Sequence, residues 1–112
     1  MKDLEQYQTT LRDHAAKQGL MMNPDWNIVK PLLEGLLENG ARNGLRTCPC
    51  RPAVGVLEKD RDIICPCVYA KPDIEEYGAC YCWLFVSQDW AEGKVAHIQV
   101  PERRPPEKTL DF

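Results

Sequence analysis

The 112-residue chain has no long apolar run, no excess of positive charge and only two histidines. Its longest apolar stretch, residues 79–86, has eight residues, whereas a helix needs about 20 to span a bilayer. The 14 basic residues are outnumbered by 17 acidic ones, so charge gives no reason to expect nucleic-acid binding. The polar N-terminal segment lacks the apolar core of a signal peptide. These absences favour a cytoplasmic protein without a membrane segment.

Cysteine is unusually frequent for such a chain, and it is confined to one stretch. All six cysteines lie between positions 48 and 82. Structural disulfides are typical of secreted proteins, so the clustering and the expected compartment both favour metal or redox chemistry. The candidate site consists of three Cys-x-Cys units, namely Cys48-Pro49-Cys50, Cys65-Pro66-Cys67 and Cys80-Tyr81-Cys82.

Hydrophobic periodicity outside the cysteines predicts two long helices. Apolar residues spaced by three and four positions predict a helix over residues 2–18, ended by Gly19. A second helix is predicted to begin near residues 23–25 and to end at residues 39–40. Pro31 is expected to kink or restart it, because proline removes a backbone donor. The fold class that follows is small and mostly helical.

Shorter elements are predicted in the second half of the chain. Residues 82–86 are compatible with a strand or a buried helix, and periodicity does not decide between them. The remaining predictions are helices over residues 52–59 and 72–78 and a short strand over residues 94–100. We expect one domain over residues 1–100, followed by a polar, proline-containing tail over residues 101–112.

The cysteine units allow more than one kind of site. Proline biases the preceding residue towards extended backbone, so we expect the two thiols of a unit to face apart. A structural zinc site and a 4Fe–4S cluster both take four thiolates, which would leave two cysteines as a redox pair. The spacing matches neither the usual zinc pairs nor the common ferredoxin pattern. A cluster with a dithiol and a zinc site with two free thiols therefore both remain open.

The three units together resemble a known family. The order CPC, CPC, CYC, with WLF directly after the last unit and WNIVKPLLEGLLENGARNG upstream of the first, is similar to the catalytic chain of ferredoxin–thioredoxin reductase. The similarity extends over roughly residues 4–90. It implies helices and proline-containing loops wrapped around a 4Fe–4S cluster beside an active-site disulfide. The implied enzyme passes single electrons from ferredoxin through the cluster to this disulfide, which reduces thioredoxin or a similar protein.

The resemblance also implies a role for each cysteine. Cys50 and Cys82 match the redox-active pair, in which Cys50 attacks thioredoxin and Cys82 resolves the mixed disulfide. Tyr81 stands where the family commonly has a histidine that helps to protonate the active-site sulfur. Tyr81 is the candidate catalytic residue at this position, although a phenol with an ordinary pKa near 10 is a poor proton shuttle at neutral pH, so the identity of the proton donor stays open. The positions that match the cluster ligands are Cys48, Cys65, Cys67 and Cys80.

The neighbours of the redox pair support the same division. Arg51 follows Cys50 and predicts an exposed, positively charged setting that favours a reactive thiolate. The apolar run after Cys82 predicts that its sulfur is turned inward. Arg46 and Arg51 are otherwise expected to be solvated or to meet an acidic ferredoxin. His97 is expected at the surface or core edge, with a smaller chance of replacing the missing proton donor.

Other readings of the site remain open. The chain is alternatively a non-enzymatic zinc- or cluster-binding interaction module, with Cys50 and Cys82 as reduced thiols. A third reading keeps the redox chemistry but changes the acceptor to a glutaredoxin-like protein or a small disulfide. The family's best-known members pair the catalytic chain with a small second subunit, so such a partner is possible here.

Overall fold

Two amphipathic helices form the body of the protein, which a computed structural model describes for residues 2–51, 53 and 55–105. Helix α1 (Lys2–Ala16) and helix α2 (Trp26–Asn43) confirm the two predicted long helices. Both contribute to one core because their apolar positions recur on a single face. The buried residues of this face are Leu4, Tyr7, Leu11 and Ala15 of α1 and Val29, Leu33 and Leu36 of α2.

Helix α2 is longer and more regular than predicted. Asp25 caps its start by accepting a hydrogen bond from the backbone N–H of Asn27 at 3.0 Å. The helix continues through Pro31 without a break, so the expected restart does not occur. The end predicted at residues 39–40 is also wrong, because the helix runs to Asn43 and is capped by Gly44. There a left-handed glycine (φ 75°) closes the last turn.

The remaining elements are short. Strand β1 (Met21–Met22) pairs antiparallel with strand β2 (Phe85–Val86), so the apolar run before residue 86 ends as a strand. About half of the chain is helical, which makes the prediction of a mostly helical fold too strong. The other helical segments are α3 (Leu57–Asp60), a 3₁₀ turn (Arg61–Ile63), α4 (Ala70–Tyr77) and α5 (Gln88–Ala91). None of the described helices is both long and apolar enough to cross a bilayer.

Two predictions in the second half of the chain need correction. The strand predicted over residues 94–100 is absent from that described segment. Instead, His97 stacks on Trp90 with ring centroids 3.5 Å apart, and it donates a hydrogen bond to the Trp90 carbonyl oxygen. Of the helix predicted over residues 52–59, only α3 forms, and Pro52 and Val54 lie outside the described residues.

The first residues of the predicted tail pack on the domain. Of residues 101–112, the structure describes 101–105. Arg103 donates a hydrogen bond to Asp73 at 2.6 Å, and the buried Arg104 donates to Asp62 at 3.0 Å. We call residues 100–104 the C-terminal strap, because consecutive side chains tie it to different elements. The boundary at residue 100 stays a prediction.

Candidate active site

One backbone bridge joins the first two cysteine units, and a second bridge shapes the third unit. Thr47 forms an isolated antiparallel bridge with Ile64, so the first two units begin side by side. The backbone N–H of Cys48 donates to the Ile63 carbonyl at 2.8 Å, and that of Cys65 donates to the Arg46 carbonyl at 3.0 Å. The third unit begins at a second bridge, and the Cys80 N–H donates to the Phe85 carbonyl at 2.9 Å.

The first and third units each form a tight turn. The Arg51 N–H donates to the Cys48 carbonyl at 3.2 Å, and the Trp83 N–H donates to the Cys80 carbonyl at 3.0 Å. Cysteines therefore occupy the first and third positions of both turns, and Pro49 occupies a second position, which proline favours. The left-handed backbone of Trp83 (φ 67°) ends the third unit.

These turns bring sulfurs together rather than apart. The Sγ atoms of Cys48, Cys50 and Cys82 all lie within 4.8 Å of one another, and those of Cys80 and Cys82 are 3.9 Å apart. The expectation that the thiols of a unit face apart is therefore wrong for the first and third units. Proline favours extended backbone in the residue before it, but it also favours the second position of a turn. At Pro49 the turn prevails.

Most of the cysteines line a single small cavity. Ala70 and Phe85 form part of its apolar wall, and Arg51 and Tyr81 complete the lining. Several thiols around an apolar cavity with a fixed cation nearby form a donor set that fits an iron–sulfur cluster. The cysteines that line it are Cys48, Cys65, Cys67, Cys80 and Cys82.

Cys50 differs from the cavity cysteines because it is exposed. Hydrogen bonds from the Cys48 and Cys82 thiols lower the pKa of Cys50 to about 4, with a smaller contribution from Arg51. A thiolate at an exposed position is the nucleophilic form of cysteine. This arrangement supplies one accessible sulfur beside a group of covered ones.

Burial has the opposite effect on two other thiols. It raises the pKa of Cys67 to about 11 and that of Cys65 well above its usual range, and neighbouring sulfurs add to the shift at Cys65. Such thiols hold their protons in the absence of a metal ion. A coordinating metal deprotonates a thiol outright, so the high values fit groups that become thiolates only as ligands.

A family model for the "ferredoxin thioredoxin reductase catalytic beta chain" matches residues 1–103. The chain belongs to this family. No curated protein matches it. The family name describes the catalytic chain of an oxidoreductase, and the group of nearby cysteines fits iron–sulfur or metal binding. The match covers the predicted domain and the first three residues of the predicted tail.

In this member of the ferredoxin–thioredoxin reductase family, Arg51 is not the exposed cation that the sequence suggested. Only 4 % of its surface is exposed. Its Nε donates to both carboxylate oxygens of Glu102 at 2.9 Å, and its Nη1 donates to the Cys67 Sγ at 3.4 Å. Arg46 remains exposed, with its guanidinium 4.5 Å from the Tyr7 ring centre. Of the two arginines, only Arg46 keeps its charge available to a partner protein.

Tyr81 lies against the same arginine. The Arg51 guanidinium carbon is 4.4 Å from the Tyr81 ring centre and 5.1 Å from that of Tyr69. Burial raises the pKa of the Tyr81 phenol, and the Glu102 carboxylate adds to this. Tyr81 therefore keeps its proton at neutral pH, and the contact it makes is through its aromatic face. The role predicted for Tyr81 in catalysis stays a prediction.

Sequence reasoning did not identify Glu102 or Tyr69 as neighbours of the site. Glu102 lies 51 positions after Arg51 in a segment predicted to be a polar tail. Tyr69 is fixed by donating a hydrogen bond to Asp62 at 2.6 Å. An acidic residue next to two arginines gave no signal for this pairing, because charged runs are usually solvated.

His97 is exposed at the surface and packs against the core edge, as expected. Besides stacking on Trp90, its ring centre is 6.0 Å from that of Trp83. Trp83 and Trp90 also meet edge to face, with ring centres 5.2 Å apart. These contacts support a packing role for the aromatic group.

Proposed function

We propose that the protein is a ferredoxin-dependent disulfide reductase that reduces thioredoxin or a similar protein disulfide. The observation that supports this most is the difference in depth among the cysteines. The four cysteines at the predicted ligand positions line one cavity together with Cys82, while Cys50 is exposed and its sulfur lies within 4.8 Å of that of Cys82. The name of the matching family supports the same activity.

The ligand set proposed for a 4Fe–4S cluster combines the first cysteine of each of the two turns with both cysteines of the second unit. When bound, the cluster would supply a one-electron relay between ferredoxin and the two-electron chemistry of a disulfide. The protein holds these sulfurs in an apolar cavity and covers them with Phe85, whose N–H donates to the Cys80 Sγ at 3.3 Å. The proposed ligands are Cys48, Cys65, Cys67 and Cys80.

The proposed exchange reaction uses Cys50 and Cys82. The Cys50 thiolate attacks one sulfur of the thioredoxin disulfide, which forms a mixed disulfide and releases the other sulfur as a thiolate. The Cys82 thiolate then attacks the Cys50 sulfur, which forms the Cys50–Cys82 disulfide and frees dithiol thioredoxin. Two electrons from two reduced ferredoxins, with two protons, return the pair to thiols.

The energetics favour this direction. Plant-type ferredoxins have reduction potentials near −400 mV, and thioredoxin lies near −270 mV. A difference of roughly 130 mV over two electrons corresponds to about 6 kcal/mol. Ferredoxin is therefore a sufficient donor for the proposed acceptor. A small second subunit and a cytoplasmic location stay predictions.

Metal analysis of the protein tests the proposal first. Protein purified without oxygen should contain about four irons and four sulfides per chain and should be brown. One zinc per chain without iron would contradict the proposal. Reduced ferredoxin should then support the appearance of thiols in oxidised thioredoxin, with glutaredoxin as a competing acceptor in a parallel reaction.

Trapping experiments test the roles of the two redox cysteines. Cys82→Ser should form a mixed disulfide with thioredoxin and fail to release it, whereas Cys50→Ser should form none. Mass spectrometry of each variant, reduced anaerobically and mixed with oxidised thioredoxin, measures both results. If Cys50→Ser were the variant that retained thioredoxin, the two roles would be exchanged.

A zinc-binding interaction module is the second candidate. The mutual proximity of the Cys48, Cys50 and Cys82 sulfurs, with Cys80 Sγ 3.9 Å from Cys82 Sγ, favours it. Three thiolates at such short separations, with Cys80 beside Cys82 as a candidate fourth, suit tetrahedral zinc. In that case zinc would protect Cys50 from alkylation, whereas the reductase proposal leaves Cys50 reactive in the reduced protein.

A further inference from the structure

The buried Arg51 places a permanent positive charge beside a predicted ligand sulfur. Its side chain is completely covered, and Nη1 donates to the Cys67 Sγ at 3.4 Å. Arginine does not lose its proton in proteins, so this charge is present at every working pH. A buried charge is costly unless it is paired and hydrogen-bonded, which calls for partners nearby.

The C-terminal strap provides the main partner. Glu102 accepts two hydrogen bonds from Nε, and its Oε1 lies 2.8 Å from Nη2. Glu102 is itself fixed, because its Oε1 also accepts the backbone N–H of Arg104 at 2.7 Å. Its side chain is 30 % exposed, so the carboxylate lies at the rim and the guanidinium lies inside. The nearer charge to the sulfur is therefore the positive one.

The aromatic rings of Tyr81 and Tyr69 fix the guanidinium further. Ring faces are negative and attract a cation within about 6 Å, and the two ring centres are 4.4 and 5.1 Å away. Three kinds of contact thus hold Arg51 in one orientation: two carboxylate bonds, two ring faces and one sulfur. A cation needed only for solubility would not be held in this way.

We infer that Arg51 is a positioning residue that raises the reduction potential of the metal centre through Cys67, and that the Glu102 carboxylate partly offsets this effect. This inference rests on the proposed function, because it needs a redox-active cluster on the cavity cysteines. Hydrogen bonds and positive charge at ligand sulfurs stabilise the more reduced, more negative form of a centre. Arg51 therefore raises the potential, and the Glu102 carboxylate lowers it by a smaller amount.

Redox titration of the anaerobic protein, followed by visible absorption and electron paramagnetic resonance, tests this inference. Arg51→Gln should shift the potential to more negative values. If the ratio of reduced to oxidised centre in this variant, measured at the wild-type midpoint potential, falls tenfold, its midpoint potential has shifted by about 59 mV for one electron. Glu102→Gln should shift the potential to more positive values. The shift should be smaller than that of Arg51→Gln, because Glu102 lies at the rim of the site. The amide oxygen of the substituted side chain still accepts from Arg51, so the guanidinium should stay in place.

Two further variants separate charge from packing. Arg103→Gln removes a neighbouring arginine that binds Asp73 and Glu76 instead of a sulfur, and it should leave the potential unchanged. Arg51→Lys keeps the charge but loses the forked hydrogen bonds, so its potential should fall between those of the wild type and Arg51→Gln. Equal shifts in Arg51→Gln and Arg103→Gln would overturn the inference.

Iron and sulfide contents, measured on every sample, keep the two proposals distinguishable. Wild-type protein without a cluster would refute the proposed function and this inference with it. Wild-type protein with a cluster but without thioredoxin reduction would refute the acceptor alone, and the opposite shifts would still support the inference. If Arg51→Gln does not assemble, Glu102→Gln decides, and an unchanged or more negative potential in that variant would overturn the inference.

Discussion

Replacing Gly35 by alanine tests how closely the first cysteine turn packs on helix α2. A Cβ added at Gly35 would lie 2.7 Å from the Pro49 Cβ and 3.4 Å from its Cγ. Contacts below about 3 Å force one partner to move. Pro49 lies between Cys48 and Cys50, so the movement falls on the site itself. We expect Gly35→Ala to displace this turn from the helix.

Two opposing free energies determine the size of the effect. Alanine in place of glycine inside a helix stabilises it by about 1 kcal/mol, whereas overpacking costs about 1–3 kcal/mol. The net result for Gly35→Ala is a loss of up to about 2 kcal/mol. Gly40→Ala is the matched control in the same helix, because its Cβ would meet the Arg46 Cγ at 2.9 Å and this exposed side chain is free to shift.

Thermal unfolding by circular dichroism, under anaerobic conditions and at one scan rate, compares the two variants. The difference between them should be roughly 1–3 kcal/mol, and each kcal/mol corresponds to about 4–8 °C in a domain of this size. Gly35→Ala should also lower iron content, while Gly40→Ala should not. Equal melting temperatures and iron contents in the two variants would refute the argument.

A double variant isolates the contact between Gly35 and Pro49. Pro49→Gly removes the Cβ that the new methyl group would meet. If the contact is the cause, Gly35→Ala should cost less free energy in the Pro49→Gly background than in the wild type. Strictly additive changes would mean that the loss in Gly35→Ala arises elsewhere.

Three further predictions concern the site itself. Cys65→Ser should lose most of the bound iron and melt at a lower temperature, because a cluster ligand also organises a small core; full iron content and an unchanged melting temperature would contradict the ligand assignment. Tyr81→Phe should keep turnover within about twofold, and Tyr81→His should keep or raise it, in steady-state assays with the cluster intact. Loss of a true proton donor costs about 100-fold or more. A large loss of turnover in Tyr81→Phe would therefore give the phenol a catalytic role. Iodoacetamide should label Cys50 first in the reduced protein, because it is the exposed cysteine; peptide mass spectrometry follows the order, and prior labelling of Cys82 would contradict it.

Short-range sequence patterns were sufficient to predict the two long helices. Helix α1 follows from its apolar spacing, and Gly19 has the left-handed backbone expected of a helix stop (φ 80°). The predicted end of helix α2 is too early, because the sequence pattern marks Asn39 as a helix stop. Its side chain instead donates to the Thr47 carbonyl at 2.9 Å, a tertiary contact that no periodicity contains.

The surroundings of the cysteines could not be predicted in the same way. Arg51 and Glu102 are far apart in sequence, and each alone resembles an ordinary surface charge. The close approach of Gly35 and Pro49 likewise depends on the path of the chain between them. Motif spacing identified which residues carry the chemistry, but the groups that orient them come from long-range packing.

The exposure of the cysteines separates one of the six from the rest. In the first and third units, a turn with cysteines at its first and third positions brings two sulfurs close together. Cys48 is buried and Cys50 is exposed, while Cys80 is buried and Cys82 is half-buried. Cys82 nevertheless lines the cavity with Cys48, Cys80 and both cysteines of the middle unit. Exposure therefore supports the exchange role that the resemblance implies for Cys50, whereas the distinction between Cys82 and the four candidate ligands rests on the resemblance alone.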